Sequence, residues 1–404
     1  MSVAITAQGF GRFGGRVSDV EAPLAVAAAA ALVLIPVFHT LAALAFLGFG
    51  MLLVIARPTP MLAVLWRYRL IFVLPVFCTL STLWSEAPGA SLRAGVQLTA
   101  TCVIAVVLAA RLPQQAFLIA VFAALMMTVA LSLALGSYRA DTGALVGFYG
   151  SKNAMAWAAA LSTLLAVGLA AARGVPGVVR LGAAVSAPIA LAAMVLAQSV
   201  SALGYLPIGL TAFAAILLMR PFRASVRIVT ALFLTLGLTY LLLLATIHAE
   251  ALSAAFFHAT GKDVTLTGRT DLWQIALAYI SERPALGVGY QAFWIHGNPT
   301  AEAIWRAFGI ASRSGFNFHN TYLSNAVEIG MTGVAMQVVL MAAAFLLTAR
   351  RALATGDRVD ALMFAAVAML MSITPVEVPV FTQFNLQSVL VIVAIVYATK
   401  PRAQ

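Results

Sequence analysis

Charge is what this chain has least of. Only 9% of its 404 residues are Asp, Glu, Lys or Arg, against 63% hydrophobic, and a soluble domain of that length could not bury so much apolar surface. Cysteine is nearly absent. Cys78 and Cys102 both fall inside apolar runs, which argues against a disulfide framework, and no metal-ligand spacing is present. There is no internal repeat, no GxGxxG after a strand, no Walker loop and no HExxH. The short alternating pattern of a transmembrane β-barrel is missing too. Ionisable residues hardly enter the apolar runs, Glu328 being the exception, which counts against an ion-coupled transporter.

What fills the chain is a succession of apolar stretches of about 17–25 residues, the length that crosses a bilayer. They predict an all-α polytopic membrane protein with about twelve spans, near 23–37, 41–56, 69–84, 93–110, 114–135, 152–172, 178–198, 203–219, 227–247, 321–348, 359–375 and 384–399. The proline in "IPVFHT" breaks the first apolar region into two. The polar, glycine-rich residues 1–22 lack an apolar signal core and read as a cytoplasmic tail. The expected organisation is then a tail (1–22), nine spans (23–247), one large loop (248–320), three spans (321–399) and a short cytoplasmic tail (400–404).

The net charge of +11 follows this topology. With the N-terminus inside, sixteen of the 24 basic residues fall on inner loops and eight outside, while four acids lie inside and nine outside. The bias is a positive-inside signal and does not indicate nucleic-acid binding. It places both termini in the cytoplasm and the large loop outside. Within that loop "TGRTDLWQIALAYISERP" predicts a short helix capped by Thr270 or Asp271 and stopped by Pro284. Its apolar stripe of Leu272, Ile275, Tyr279 and Ile280 suits the membrane surface or the bundle. The aromatic "GVGYQAFW" follows, and then a polar stretch with room for another short helix.

Four outward clusters carry groups capable of chemistry: "FHNTYL" with His319 and Asn320, "GRTDLW" with Arg269, "YGSKNAMAW" with Lys152 and Asn153, and "LWSEAPGASLR" with Trp84, Glu86 and Arg93. Each has a plain structural explanation: a histidine that anchors a helix mouth, a solvated arginine, a snorkelling lysine, an interfacial tryptophan beside a turn. Together they suit a different task. A neutral imidazole can take a proton from a hydroxyl. Arginine and lysine can hold a phosphate leaving group. One base and several cations on one face fit attack by a hydroxyl on a lipid-linked phosphate ester, with protein cations stabilising the departing phosphates. Glu328, nine residues past His319 and half a rotation out of phase with it, reads as structural, as do Trp84 and Glu86.

"TGRTDLWQIALAYISERPALGVGYQAFW" followed by "HNTYLSNAVEIGMTG" resembles the hallmark of the O-antigen ligase and O-antigen polymerase superfamily, and "LWSEAPGASLR" and "GFYGSKNAMAW" resemble its earlier landmarks. The likeness is greatest to its branch of exopolysaccharide production proteins and spans roughly residues 70–390. It implies a GT-C-like glycosyltransferase in the bacterial inner membrane. Such an enzyme is metal-independent and inverting, with no cofactor and with its active site at the periplasmic face. The implied donor is an undecaprenyl-pyrophosphate-linked oligosaccharide and the acceptor a glycan. Polymerases of the family join repeat units, and ligases move the glycan to lipid A core. A flippase and a chain-length regulator are the protein partners it suggests. By similarity, His319 matches the base that activates the acceptor and Arg269 an arginine on the pyrophosphate. Lys152 and Asn153 fall at a similar outer-face landmark; Asn320 and Tyr322 are further candidates for substrate contact, and Tyr322, one turn below His319, could orient it or line the lipid cleft. One departure stands out: "AQSVSALG" has Val200 where relatives carry a second arginine, leaving Lys152, Arg139 and Arg93 as candidates to supply the charge. A polymerase is the leading expectation, a ligase the second, and a polysaccharide or solute transporter the third.

Overall fold

The computed structural model describes residues 21–223, 225–230 and 269–400. Most of the expected span 227–247, the N-terminal tail up to residue 20, loop residues 248–268 and residues 401–404 lie outside the described residues. The described chain is helical throughout, apart from one small hairpin: α1 (Glu21–Val33), α2 (Ile35–Ala56), α3 (Pro58–Arg67), α4 (Val73–Leu80), α5 (Pro88–Arg111), α6 (Gln114–Leu135), the hairpin β1 (Ser137–Tyr138) and β2 (Leu145–Gly147), α7 (Lys152–Ala171), α8 (Gly177–Leu196), α9 (Val200–Met219), α10 (Arg269–Glu282), α11 (Pro299–Ala307), α12 (Thr321–Thr355), α13 (Arg358–Ile373) and α14 (Leu386–Thr399).

Among the described residues seven helices are long and apolar enough to cross a membrane: α2, α5, α6, α7, α8, α9 and α12. An eighth is added if α3 and the segment Arg69–Leu83, bent by 76° from it, form one broken span. Among the described residues the flanks of α2 and α8 expose Leu41, Leu44, Ile55, Val178, Leu181 and Val185, a surface suited to a lipid environment. This is a polytopic helical membrane protein. The apolar region around "IPVFHT" is indeed two helices, separated at Leu34, and α2 carries a further kink at His39. α7 lies at the centre, packed against α6, α8, α9 and α13, so its side chains are buried on nearly every face.

The expected cap of α10 is corrected. The helix already includes Arg269, so Thr270 and Asp271 lie inside its first turn, where Asp271 opposes the helix dipole with a favourable negative charge. The expected choice between membrane surface and bundle is corrected: the stripe of α10 packs into a core of its own segment, apart from that of the bundle. Leu272 and Ala276 enter a second hydrophobic core with Val288, Phe293, Ile304, Trp305, Phe318 and Val327. The segment between α10 and α12 therefore has an interior of its own, closed by α11, which Asn298 caps through the amides of Thr300 and Ala301.

A break in α12 docks this unit onto the bundle. Gly330 has φ 64° and ψ −179°, which interrupts the helical ladder. The carbonyls it frees, those of Val327 and Glu328, accept from the amides of Val288 and Gly289 at 2.9 and 2.8 Å. On the other side of the break, the Met331 and Thr332 amides donate to the carbonyls of Pro284 and Ala285 at 2.8 and 3.3 Å. A Cβ at position 330 would collide with the Ala285 carbonyl, so close approach and positive φ both demand glycine. Glu328, buried in the same place, accepts from the Gln291 amide at 3.0 Å. Trp84 Nε1 donates to the Leu286 carbonyl at 3.0 Å, and Glu86 pairs with Arg283 at 2.7 Å, so the "LWSEAP" stretch holds this unit from below.

Candidate active site

The starts of α7, α9, α10 and α12 and the turn after α13 meet at one end of the bundle. The starts of α7 and α12 are shaped locally. Ser151 caps α7 by accepting from the Ala154 amide, which puts Lys152 and Asn153 in its first turn. Asn320 caps α12 by accepting from the amides of Tyr322 and Leu323 at 3.0 and 3.1 Å. Just before it, the Asn317 side chain accepts from the His319 amide at 2.7 Å, an Asx turn. His319, bracketed by two asparagines, has φ 49°, a left-handed conformation rare outside glycine and a mark of local strain.

These starts converge on a carboxylate that the sequence reading did not select. Glu377 lies between Pro375 and Pro379 in the turn after α13. Its Oε2 is 3.1 Å from His319 Nδ1. Its Oε1 accepts from Arg269 Nη2 at 3.1 Å and from Asn153 Nδ2 at 2.7 Å. Arg269 Nη1 donates to the neighbouring Val376 carbonyl at 2.7 Å. The turn itself is tied to α12: Thr321 Oγ1 donates to the Glu377 carbonyl at 2.6 Å, and the Thr321 amide to the Thr374 carbonyl at 2.9 Å. The side chains of Arg269, His319 and Glu377 are 16%, 23% and 13% exposed. They are shielded enough for the contacts to hold, and His319 is still reachable.

A second tier stands beside this one. Asn153 Oδ1 accepts from Ser199 Oγ at 3.0 Å, so the residue at the cap of α9 spends its hydroxyl on Asn153 and leaves its own helix uncapped. Lys152 Nζ donates to the Gln198 carbonyl at 3.3 Å, two residues before Val200. Of the candidates from sequence, His319, Arg269 and Asn153 thus meet on one carboxylate, Lys152 adjoins them, and Asn320 caps the helix that follows His319. Tyr322 turns to the base of the same turn, its hydroxyl 3.1 Å from Thr374 Oγ1, and not to His319.

Two candidates stand apart. Arg139 is spent on Asp141, with bonds of 2.9 and 2.7 Å across the exposed hairpin, and its guanidinium holds the Asp141 carboxyl below the usual range. Arg93 is exposed on α5, a helix that gives no other group to the cluster. The available signal for Glu377 was its isolation, a single acid in the apolar, proline-flanked "ITPVEVPVF" on the side already rich in acids.

Chemically, the arrangement can fix an imidazole tautomer. When Nδ1 carries the proton, it donates to Glu377 and the Nε2 lone pair is free to accept one. Arg269 uses two of its five N–H donors on protein oxygens and keeps the others for a ligand.

Comparison with known proteins agrees in kind, the family match being shorter than the resemblance read from the sequence. The O-antigen ligase family matches residues 185–338, a stretch that includes Arg269 and His319. The exopolysaccharide production protein ExoQ of Rhizobium meliloti (strain 1021) is 31% identical over 375 residues, covering 90% of this chain and 85% of that protein.

Proposed function

The chain belongs to the O-antigen ligase family, and from that premise we propose that it polymerises undecaprenyl-pyrophosphate-linked repeat units into a surface polysaccharide. One observation carries the reading: Glu377 gathers an imidazole, a guanidinium and a carboxamide at a single bundle end. His319 acts as general base. Its Nε2 takes the proton of an acceptor hydroxyl, whose oxygen attacks the anomeric carbon of the donor sugar. The bond from that carbon to the pyrophosphate oxygen breaks, and the electron pair leaves on the phosphate. Attack opposite the leaving group inverts the anomeric centre. Arg269 stabilises the charge that develops there, with Lys152 as the second cation in place of the arginine missing at Val200. Glu377 is a positioning residue, holding the base and the cation at once.

On this reading the site end faces the periplasm and both termini the cytoplasm of a bacterial inner membrane. The likeness to a protein of exopolysaccharide production favours polymerisation. The test is a reconstituted assay with defined lipid-linked glycans, with and without chelator. Chain growth with release of undecaprenyl pyrophosphate is expected, and His319→Ala, expressed normally, should abolish it. In cells, deletion should remove long-chain polymer. If unattached lipid-linked polymer accumulates instead, the protein is a ligase; if no pyrophosphate carrier is ever released, it is no transferase.

A further inference from the structure

Of the three buried hydrogen-bond donors that stand bare one helical turn beneath the cluster, Ser324 Oγ, Trp157 Nε1 and the Tyr205 hydroxyl, the last two form a pair. Trp157 follows Asn153 by four residues on α7, and Tyr205 follows Ser201 by four on α9, which sets each about 6 Å further into the bundle. Their rings meet at 5.5 Å between centroids. The residues are 4% and 3% exposed, yet neither the indole N–H nor the phenol O–H has a hydrogen-bond partner. Buried tryptophan and tyrosine usually find one, because a bare donor away from water is unfavourable. Ser201 Oγ is 3.0 Å from Ser199 Oγ, which in turn bonds Asn153, so Tyr205, one turn on from Ser201, shares the face of α9 that turns toward the site. At the rim above, Val200 is 61% exposed and brings no charge to the start of α9.

Building on the donor chemistry above, we propose that Tyr205 O–H and Trp157 N–H bind the lipid-proximal phosphate of the isoprenoid pyrophosphate. A pyrophosphate between a glycan and a hydrocarbon chain places its two phosphates at different depths. Arg269 and Lys152 are at the rim, beside the glycan-bearing phosphate. The paired donors lie one turn deeper, where the phosphate attached to the isoprenoid has to sit. Neutral donors suit that depth, since a charged side chain there would be costly while the site is empty. They supply by hydrogen bonding what position 200 does not supply by charge.

Tyr205→Phe tests this, because it removes one oxygen and keeps the ring; Trp157→Phe is its companion. Purified full-length protein in detergent is titrated with farnesyl pyrophosphate, with farnesyl monophosphate, which keeps only the lipid-proximal phosphate, and with farnesol. Tyr205→Phe is expected to weaken both phosphates about ten-fold and leave farnesol unchanged. The melting temperature of the empty protein should hold or rise, since a bare donor has been removed. A fall in that temperature with phosphate affinity intact would show a structural hydroxyl and overturn the inference. Weakening of the pyrophosphate alone would overturn the assignment by depth. Wild-type affinities in both variants, with binding lost in Arg269→Ala, would sink the inference and leave the proposed function standing. If wild-type protein binds neither phosphate, the donor chemistry itself fails, and this inference with it.

Discussion

Glu377→Gln isolates the part of the site that most needs explaining. The substitution keeps shape and removes charge. Two donors, Arg269 Nη2 and Asn153 Nδ2, converge on Oε1, so the carboxamide oxygen of a glutamine stays there. Its NH2 group then faces His319 Nδ1. Two donors cannot share that contact, so Nδ1 becomes the acceptor and the imidazole proton moves to Nε2. The base is present and well placed, but it is the wrong tautomer. A correctly disposed general base contributes about 10²–10⁴-fold; we expect kcat to fall about 10³-fold, equivalent to about 4 kcal/mol at the transition state. Donor KM should change little, because Arg269 keeps both its bonds. Stability should fall, since Arg269 loses its counter-ion, but by less than in Glu377→Ala, because the hydrogen bonds to Oε1 are kept. Glu377→Ala behaves differently: it strips a shielded guanidinium of its counter-ion, which costs about 3–5 kcal/mol, and should lower the melting temperature along with the rate. The assay is turnover of a fluorescent lipid-linked glycan by protein in nanodiscs, with thermal unfolding measured on the same samples. If Glu377→Gln keeps a third or more of wild-type turnover, the tautomer argument is wrong.

Three further predictions follow from the same contacts. Arg269→Lys keeps a positive charge but cannot reach both the Val376 carbonyl and Glu377 Oε1 from one planar group; turnover should fall about 10–100-fold with the protein still folded, and turnover at wild-type level would show that charge alone suffices. Gly330→Ala places a Cβ against the Ala285 carbonyl at a positive φ; a loss of about 1–3 kcal/mol is expected, read as a lower melting temperature and faster proteolysis between residues 283 and 320. Asn320→Ala removes the cap of α12 beside His319; about 1 kcal/mol of stability should go, with a several-fold loss of kcat, and Asn320→Asp, which also caps, should restore both.

Two elements show how far the sequence reading reached. Seven of the expected spans are helices long and apolar enough to cross a membrane, because hydrophobic length is a local property, whereas the stretch expected at 69–84 is split into short pieces behind a 76° bend. The start of α10 went otherwise: Thr270 and Asp271 are good caps in isolation, yet the helix begins earlier and carries Arg269 in its first turn. A cap preference of about 1 kcal/mol is easily overridden when Leu272 and Ala276 are buried and a guanidinium is drawn to a carboxylate. The stretch "EIGMTG" likewise read as continuous helix; only the backbone of residues 284–289, pressed against it, accounts for the break at Gly330.

By itself, the sequence determined that this chain lives in a membrane, and it picked out His319, Arg269 and Asn153 as groups capable of chemistry. Hydropathy and charge bias are summed along the chain, so they survive without coordinates. The tertiary structure decided that these three meet at Glu377, 58, 108 and 224 residues away from them in the sequence. It also decided that Arg139 is spent on Asp141, and that the paired neutral donors lie bare below the site. A hydrogen bond depends on a distance of about 3 Å, and sequence separation carries no information about that distance until helices have packed.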